Sequence, residues 1–318
     1  MELTNPTPEA LLQAALHLQA GGLVAFPTET VYGLGANAED ESAIAKIYTA
    51  KNRPSNHPLI VHIGETADVY HFAKDIPDYA HALMIKFWPG PMTLILPRTQ
   101  NSKDFVTGGQ SSVGLRLPDH PVALGLLRAF GFLGGHGLAA PSANRYGAVS
   151  PTTALSVMQE LADYLNEGDL ILEGGSSEVG VESTIIDCTG PNPAILRPGA
   201  ITAEDIELCT GIVVAEPQET TIRVSGSQKQ HYSPKAKVVV GGIATVGEGL
   251  IAYSATETPG GVIRLAAPNS VEEYARVLYA ALRDADAQGL NAVRVIAPEG
   301  EGLAVAIRDR IKRSASEG

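Results

Sequence analysis

Apolar positions along the chain change period repeatedly. Over 8–19 they recur at helical spacing, through Leu11, Leu12, Ala15, Leu16 and Leu18, and the run stops at Gly21-Gly22. Short apolar runs that predict strands follow at 23–26, 58–63, 92–97, 113–117, 169–172, 183–187 and 194–197. Helical patterns over 40–51, 77–87, 121–130, 152–165 and 202–208 are set between them. Such alternation predicts an α/β domain with a partly parallel sheet. After residue 212 the texture changes: 216–237 is polar, carries Ser225-Gly226-Ser227 and ends in His231-Tyr232-Ser233-Pro234, as a linker does. Strands near 237–240, 249–253, 261–265 and 291–297, with helices over 270–287 and 301–312, then predict a small second α/β unit. The expected organisation is a first domain over 1–212, a linker or lid over 213–236 and a C-terminal domain over 237–318. A length of 318 residues agrees with two domains, since single cores rarely keep growing beyond about 250–300 residues.

Candidate chemistry collects where these elements end. Phe26-Pro27-Thr28-Glu29-Thr30-Val31-Tyr32-Gly33-Leu34-Gly35 packs hydroxyls, a carboxylate and glycines behind a strand, and strand ends are where open α/β sheets hold ligands. Lys51 shares the inner face of helix 40–51 with Ile44, Ile47 and Tyr48, and Arg53 follows on the turn. Two readings stand for Lys51: a cation closing the helix C-terminus, or one of two cations that neutralise phosphates. Ala140-Pro141-Ser142-Ala143-Asn144 leads through Ser150 towards helix 152–165, either as neutral donors to a nucleotide or as a polar turn with Ser150 as N-cap. Arg116 lies in the apolar run Val113-Gly114-Leu115, and Arg197 ends Ala194-Ile195-Leu196. No acidic residue alternates with either in its own strand, so both predict an anionic partner. His62, between Val61 and Ile63, reads as a satisfied core histidine or as a ligand contact.

Composition narrows the classes. The formal charge of −12 sits in the first domain, where residues 1–210 hold 11 basic and 23 acidic side chains against 12 of each in 211–318. An acidic domain is a poor general nucleic-acid binder, so direct nucleic-acid binding is expected to be weak or absent. No apolar run approaches the roughly 20 residues of a membrane helix, and the N-terminus lacks a basic start, so a cytoplasmic protein without membrane attachment is expected. Cys188 and Cys209 are too few for a zinc cluster or a disulfide framework, and no His-x-His or His-x-x-x-His pair occurs among eight histidines. No protein-held metal is therefore expected, although magnesium carried by a nucleotide needs no such cluster. Nor does the chain contain Gly-x-x-x-x-Gly-Lys-Ser/Thr, and Gly33-Leu34-Gly35-Ala36-Asn37-Ala38 stands too far from its strand for a dinucleotide fingerprint.

In order and spacing, a series of motifs over about 20–200 resembles the threonylcarbamoyl-AMP synthase family, the YrdC-like enzymes. These are Pro-Thr-Glu-Thr-Val-Tyr-Gly-Leu from Pro27, Lys51-Asn52-Arg53-Pro54, Pro58-Leu59 with His62, Phe87-Trp88-Pro89-Gly90-Pro91, Val113-Gly114-Leu115-Arg116, Pro141-Ser142-Ala143-Asn144, Glu182-Ser183-Thr184 and Leu196-Arg197-Pro198-Gly199. The C-terminal unit and His231-Tyr232-Ser233-Pro234 resemble the longer, two-domain form. The resemblance implies a YrdC-like twisted, open mixed sheet with helices, followed by a small Rossmann-like α/β domain. It implies condensation of L-threonine, bicarbonate and ATP, with magnesium and no organic cofactor, to threonylcarbamoyl-AMP and pyrophosphate. The product would pass to a tRNA threonylcarbamoyl transferase complex. By position, Thr30, His62, Arg116, Ala140 and Ser183 resemble the threonine-contacting set, and Arg53, His57, Ser112, Ser142, Ser150, Arg197 and Tyr232 the ATP-contacting set. Lys51, Arg53, Ser142 and Asn144 resemble the catalytic group. Two positions depart from the family pattern: His57 stands where Asn is common, and Ser225-Gly226-Ser227-Gln228 replaces Ser-Pro-Gly-Met. Two other readings compete, a carbamoyl transferase with a YrdC-like domain and a non-enzymatic RNA-binding maturation factor. The missing cysteine-rich zinc motifs weigh against the first and the acidic first domain against the second.

Overall fold

A computed structural model of the chain describes residues 2–215, 222–226 and 232–315. Ten strands form the first sheet: β1 (Glu2–Thr4), β2 (Val24–Phe26), β3 (Gly33–Asn37), β4 (Ile60–His62), β5 (Met92–Pro97), β6 (Ser112–Arg116), β7 (Leu138–Ala139), β8 (Leu170–Leu172), β9 (Thr184–Asp187) and β10 (Ala194–Arg197). They lie in the order β1-β8-β2-β3-β7-β4-β6-β5-β9-β10. Pairing is mixed, parallel for β4 with β6 and β5 with β9, antiparallel for β2 with β3, β4 with β7, and β5 with β6. The helices are α1 (Pro8–Gln19), α2 (Glu41–Lys51), α3 (Val69–Phe72), α4 (Asp78–Phe87), α5 (Asp104–Thr107), α6 (Pro121–Phe132), α7 (Ala154–Leu161) and α8 (Ala203–Thr210). One layer, α1 against α6, buries Ala14, Ala15, Leu18, Leu126 and Phe130, and a larger cluster around Ile44, Ile47, Leu83 and Leu94 fills the rest.

The second sheet has four parallel strands, β11 (Lys237–Val240), β12 (Gly249–Ile251), β13 (Ile263–Ala266) and β14 (Ala292–Val295), in the order β11-β14-β12-β13, with α9 (Val271–Ala287) and α10 (Leu303–Ser314). Its core runs into the first domain: Val31, Val149 and Val181 pack in one cluster with Tyr232, Ala275, Tyr279 and Ile307. Gly180, at φ +79°, permits the approach, because a Cβ there would stand 2.4 Å from the Arg276 Cα on α9. Arg283 of α9 adds an ion pair to Glu160 at 3.0 Å and a hydrogen bond to the Val149 carbonyl. No helix among the described residues is long and apolar enough to cross a membrane.

Most long elements follow the sequence pattern, and the differences have local causes. Strand β3 occupies Gly33–Asn37, a stretch read above as part of a site loop. It is buried from Gly33 to Ala36, so it shows no alternation. Strands β1 and β7 are three and two residues long, too short to carry a period. The helix expected over 152–165 is α7 plus a 3₁₀ turn at Ala162–Tyr164, and its N-cap is Thr153 rather than Ser150. Residues 216–221 and 227–231, which include Ser227, Gln228 and His231 of the expected linker, lie outside the described residues.

Candidate active site

The parallel strands β4 and β6 bring His62 directly beside Arg116 at their carboxyl ends. On the other side of β4 runs the antiparallel β7, whose exit carries Ala140, Pro141 and Ser142 past the amino end of β4, where Ala140 N–H donates to the Ile60 carbonyl at 3.0 Å. That turn is sewn to the start of β3 by Leu34 N–H to the Pro141 carbonyl (2.8 Å) and to the residue before it by Ala143 N–H to the Tyr32 carbonyl (2.8 Å). Thr28 organises the neighbouring turn: its hydroxyl donates to the Val31 carbonyl at 2.6 Å and lies 2.9 Å from the Thr30 hydroxyl. Thr28, His62, Arg116, Ala140, Pro141 and Ser142, together with Arg53, Ser183, Arg197, Gly226 and Tyr232, line one cavity.

Three buried guanidiniums give the cavity its character. Arg53, Arg116 and Arg197 are 7%, 4% and 4% exposed, so each needs a partner for its charge. Arg116 has an anionic partner, as its place in an apolar strand predicts, and it comes from within the chain: Glu29, from the turn after β2, sits at 2.7 Å. Alternation within a strand cannot reveal a carboxylate brought in by a loop. Neither Glu29 oxygen, nor Nε and Nη2 of Arg116, makes an aligned hydrogen bond among the described residues, which leaves both groups directed towards further partners. Arg197 donates to the Ser183 carbonyl at 2.9 and 3.1 Å and to the Ser225 carbonyl at 3.0 Å. Arg53 donates to the Pro58 carbonyl at 2.9 Å, and its Nε has no hydrogen-bond partner among the described residues. Burial, and then the Arg116 charge, push the His62 imidazole down to about 3, so it is neutral near pH 7, and its Nδ1 is unpartnered among the described residues.

Glu182 ties this cavity to the C-terminal domain. One carboxylate oxygen accepts from the Ser150 hydroxyl (2.7 Å), and the other from Tyr279 of α9 (2.9 Å) and Arg310 of α10 (2.8 Å). Burial alone would raise this carboxyl, but the charges of Arg310 and Arg197, with these hydrogen bonds, hold it down at about 2. Tyr232 stacks on Tyr279 at 5.6 Å and closes the cavity beside Gly226.

Of the residues expected from the sequence, Arg53, His62, Arg116, Ala140, Ser142, Ser183, Arg197 and Tyr232 line the cavity. Thr30 stands behind Thr28, and Ser150 behind Glu182. Ser112 lines an adjoining cavity that shares Ile60 and Ser225 with the first. His57 makes an edge contact with Tyr146, whose ring lies 5.7 Å from the Arg53 guanidinium. Lys51 does not close its own helix, since Asn52 at φ 51° caps α2 while Lys51 Nζ donates to the carbonyls of Ser142 and Asn144. It thereby pins the wall of the cavity, and burial pushes its ammonium well below the usual lysine range. Asn144 holds the same turn through the Arg145 and Ala148 carbonyls. Sequence reasoning missed Glu29 and Glu182 as partners of the arginines; each lies in a quoted motif, but nothing in the spacing links it to a cation.

Comparison with known proteins assigns this arrangement. A family profile described as "Telomere recombination" matches residues 17–199, and one described as "Threonylcarbamoyl-AMP synthase, C-terminal domain" matches residues 201–316. A threonylcarbamoyl-AMP synthase of Pyrococcus abyssi is 38% identical over 95% of this chain and 92% of its own length. One of Bacillus subtilis is 42% identical over 75% of this chain and 68% of its own. The crystal structure of Pyrococcus abyssi Sua5 complexed with L-threonine superposes with a TM-score of 0.88 at 35% identity, covering 99% of this chain and 98% of that one. The chain belongs to the threonylcarbamoyl-AMP synthase family, in its two-domain form.

Proposed function

We propose that the chain condenses L-threonine, bicarbonate and ATP to threonylcarbamoyl-AMP and pyrophosphate, a nucleotidyl transfer that supplies threonylcarbamoyladenosine modification of tRNA. The observation that carries this reading is the arginine-lined cavity at the ends of β4 and β6, in a chain whose relative was crystallised with L-threonine. Arg116, held by Glu29 and beside neutral His62, is suited to the threonine carboxylate, with Ala140 and Thr28 against its side chain. Arg53 and Arg197, with Ser142, face the same space and suit the triphosphate, with Tyr232 above it. Threonine's amine condenses with bicarbonate and releases water. A carbamate oxygen then bonds to the α-phosphorus as the bond from that phosphorus to the leaving pyrophosphate breaks.

No covalent enzyme intermediate is required, so the residues position the reactants and offset charge. Glu182, the carboxylate among the described lining residues, is committed to Arg310, so the lining does not fit a protein-held magnesium. Magnesium would be held by the phosphates of the nucleotide. The deciding experiment is mass spectrometry of a reaction with ATP, magnesium, L-threonine and labelled bicarbonate. The label is expected in a threonylcarbamoyl adenylate, with pyrophosphate released only when both threonine and bicarbonate are present. Release at an equal rate without threonine would refute the assignment.

A further inference from the structure

A second cluster of ligating side chains lies away from the arginine cavity, and none of its members lines that space. Glu39 comes from the turn between β3 and α2, His71 from α3, and His136 from the loop entering β7. One potential ligand atom of each lies within 4.8 Å of the other two. We propose that Glu39, His71 and His136 bind a divalent transition cation of the zinc type.

Several features favour a cation over a simple ion pair. The two imidazoles are stacked, with centroids 3.7 Å apart and planes inclined by 19°. The stack sets the two rings side by side, with an edge nitrogen of each near the Glu39 carboxylate. Nδ1 of His136 faces Asp68 at 3.4 Å, which leaves Nε2 for the cation. A carboxylate behind the non-ligating nitrogen is the arrangement that orients metal-bound histidines. His71 Nε2 already lies 2.9 Å from the Glu39 carboxylate, and the Asn101 amide is 3.4 Å from its Nδ1. The same amide nitrogen donates to the His71 carbonyl at 3.0 Å and holds the ring in place.

Zinc–nitrogen bonds of about 2.0–2.1 Å require closer ligands than the present spacing. The side chains of Glu39 and His136 are 32% and 42% exposed and can rotate inward. Two imidazoles and one carboxylate without thiolate favour zinc, nickel or copper over magnesium or calcium, with water in the open position. The cation would clamp the β3–α2 turn and α3 to the approach of β7, the strand whose far end carries Ala140 and Ser142.

The test is calorimetric titration of the full chain with zinc chloride alone, without nucleotide, and optical titration with cobalt(II). One zinc per chain is expected, together with cobalt d–d bands and no thiolate charge-transfer band. Affinity should fall about 10- to 100-fold in Asp68→Asn, as for other changes behind a ligand, and binding should be lost in a His71→Ala/His136→Ala double variant. Zinc should also raise the melting temperature of the wild-type chain, a readout that does not depend on any variant folding. Unchanged affinity in the double variant, or no heat and no thermal shift in the wild type, overturns the proposal.

Discussion

Replacing Arg310 with Ala tests the link between the domains most directly. Arg310 is fully buried, and its guanidinium donates to Glu182 at 2.8 Å and to the Pro198 carbonyl at 3.0 Å. The substitution leaves the Glu182 carboxylate in the same dry site with only the Ser150 and Tyr279 hydroxyls as donors. Removing one partner of a buried pair costs about 3–5 kcal/mol, because the surviving charge is uncompensated. The pH dependence gives a second handle. In the wild type the carboxyl is held down at about 2, so its contribution is complete above the ordinary carboxyl value near 4.3 and is lost as pH falls through about 2. In the variant burial works against ionisation, the folded value rises, and the deficit should grow from pH 5 to pH 8. Urea denaturation of both proteins at the two pH values measures this. A loss below about 1 kcal/mol that does not change with pH would show that Glu182 is adequately satisfied without Arg310, and the coupling argument would fail. An Arg310→Met/Glu182→Gln double variant should recover much of the stability while leaving Ser150 without its acceptor charge.

Arg116→Met should raise the KM for threonine about tenfold to a hundredfold, the loss of a charged hydrogen bond of about 1.5–3 kcal/mol, and unchanged threonine saturation would remove Arg116 from the substrate set. Arg53→Ala should lower kcat about a hundredfold at an unaltered melting temperature. Lys51→Ala should lower stability as well, since the Ser142 and Asn144 carbonyls lose a donor at about 1–3 kcal/mol each; thermal melts beside initial rates separate the two residues. Gly180→Ala drives a methyl group into the backbone of α9 and should cost about 1–3 kcal/mol, read by chemical denaturation, with no loss if the domain contact is dispensable. Tyr232→Ala should reduce product accumulation more than threonine affinity, because water then reaches the labile adenylate; normal accumulation would limit Tyr232 to a packing role.

The legible part of the site was the part with a cost attached. Arg116 and Arg197 stand in apolar strands where an isolated cation is untenable, and this marked both before any geometry was known. Their partners were hidden because Glu29 reaches Arg116 from a loop, and loop closure leaves no periodic trace, while Arg197 is held by the main-chain carbonyls of Ser183 and Ser225. Lys51 was correctly placed on the inner face of α2, yet its acceptors are main-chain carbonyls, which every residue has and no sequence pattern marks. Strand β3 was obscured for a related reason, since burial on both faces erases the alternation by which a strand is recognised. The short β7 escaped notice although it positions Ala140 and Ser142, because its two residues are defined only by neighbours on β3 and β4.

The strand order of the first sheet also constrains how the protein comes into being. Strand β1 pairs with β8, joining Glu2 to Leu170, and β5 pairs with β9, joining Met92 to Thr184. A sheet built from such distant partners has high contact order and folds slowly, because long loops must close before the pairings reward them. During synthesis the sheet cannot be completed until β9 and β10 have left the ribosome, and Glu182 meets Arg310 only once α10 has followed. Arg53 and Arg116 therefore emerge long before Arg197 and remain solvated in the nascent chain. The cost of gathering these cations in a dry cavity falls at the last stage of assembly, when the surrounding scaffold is already in place to hold them.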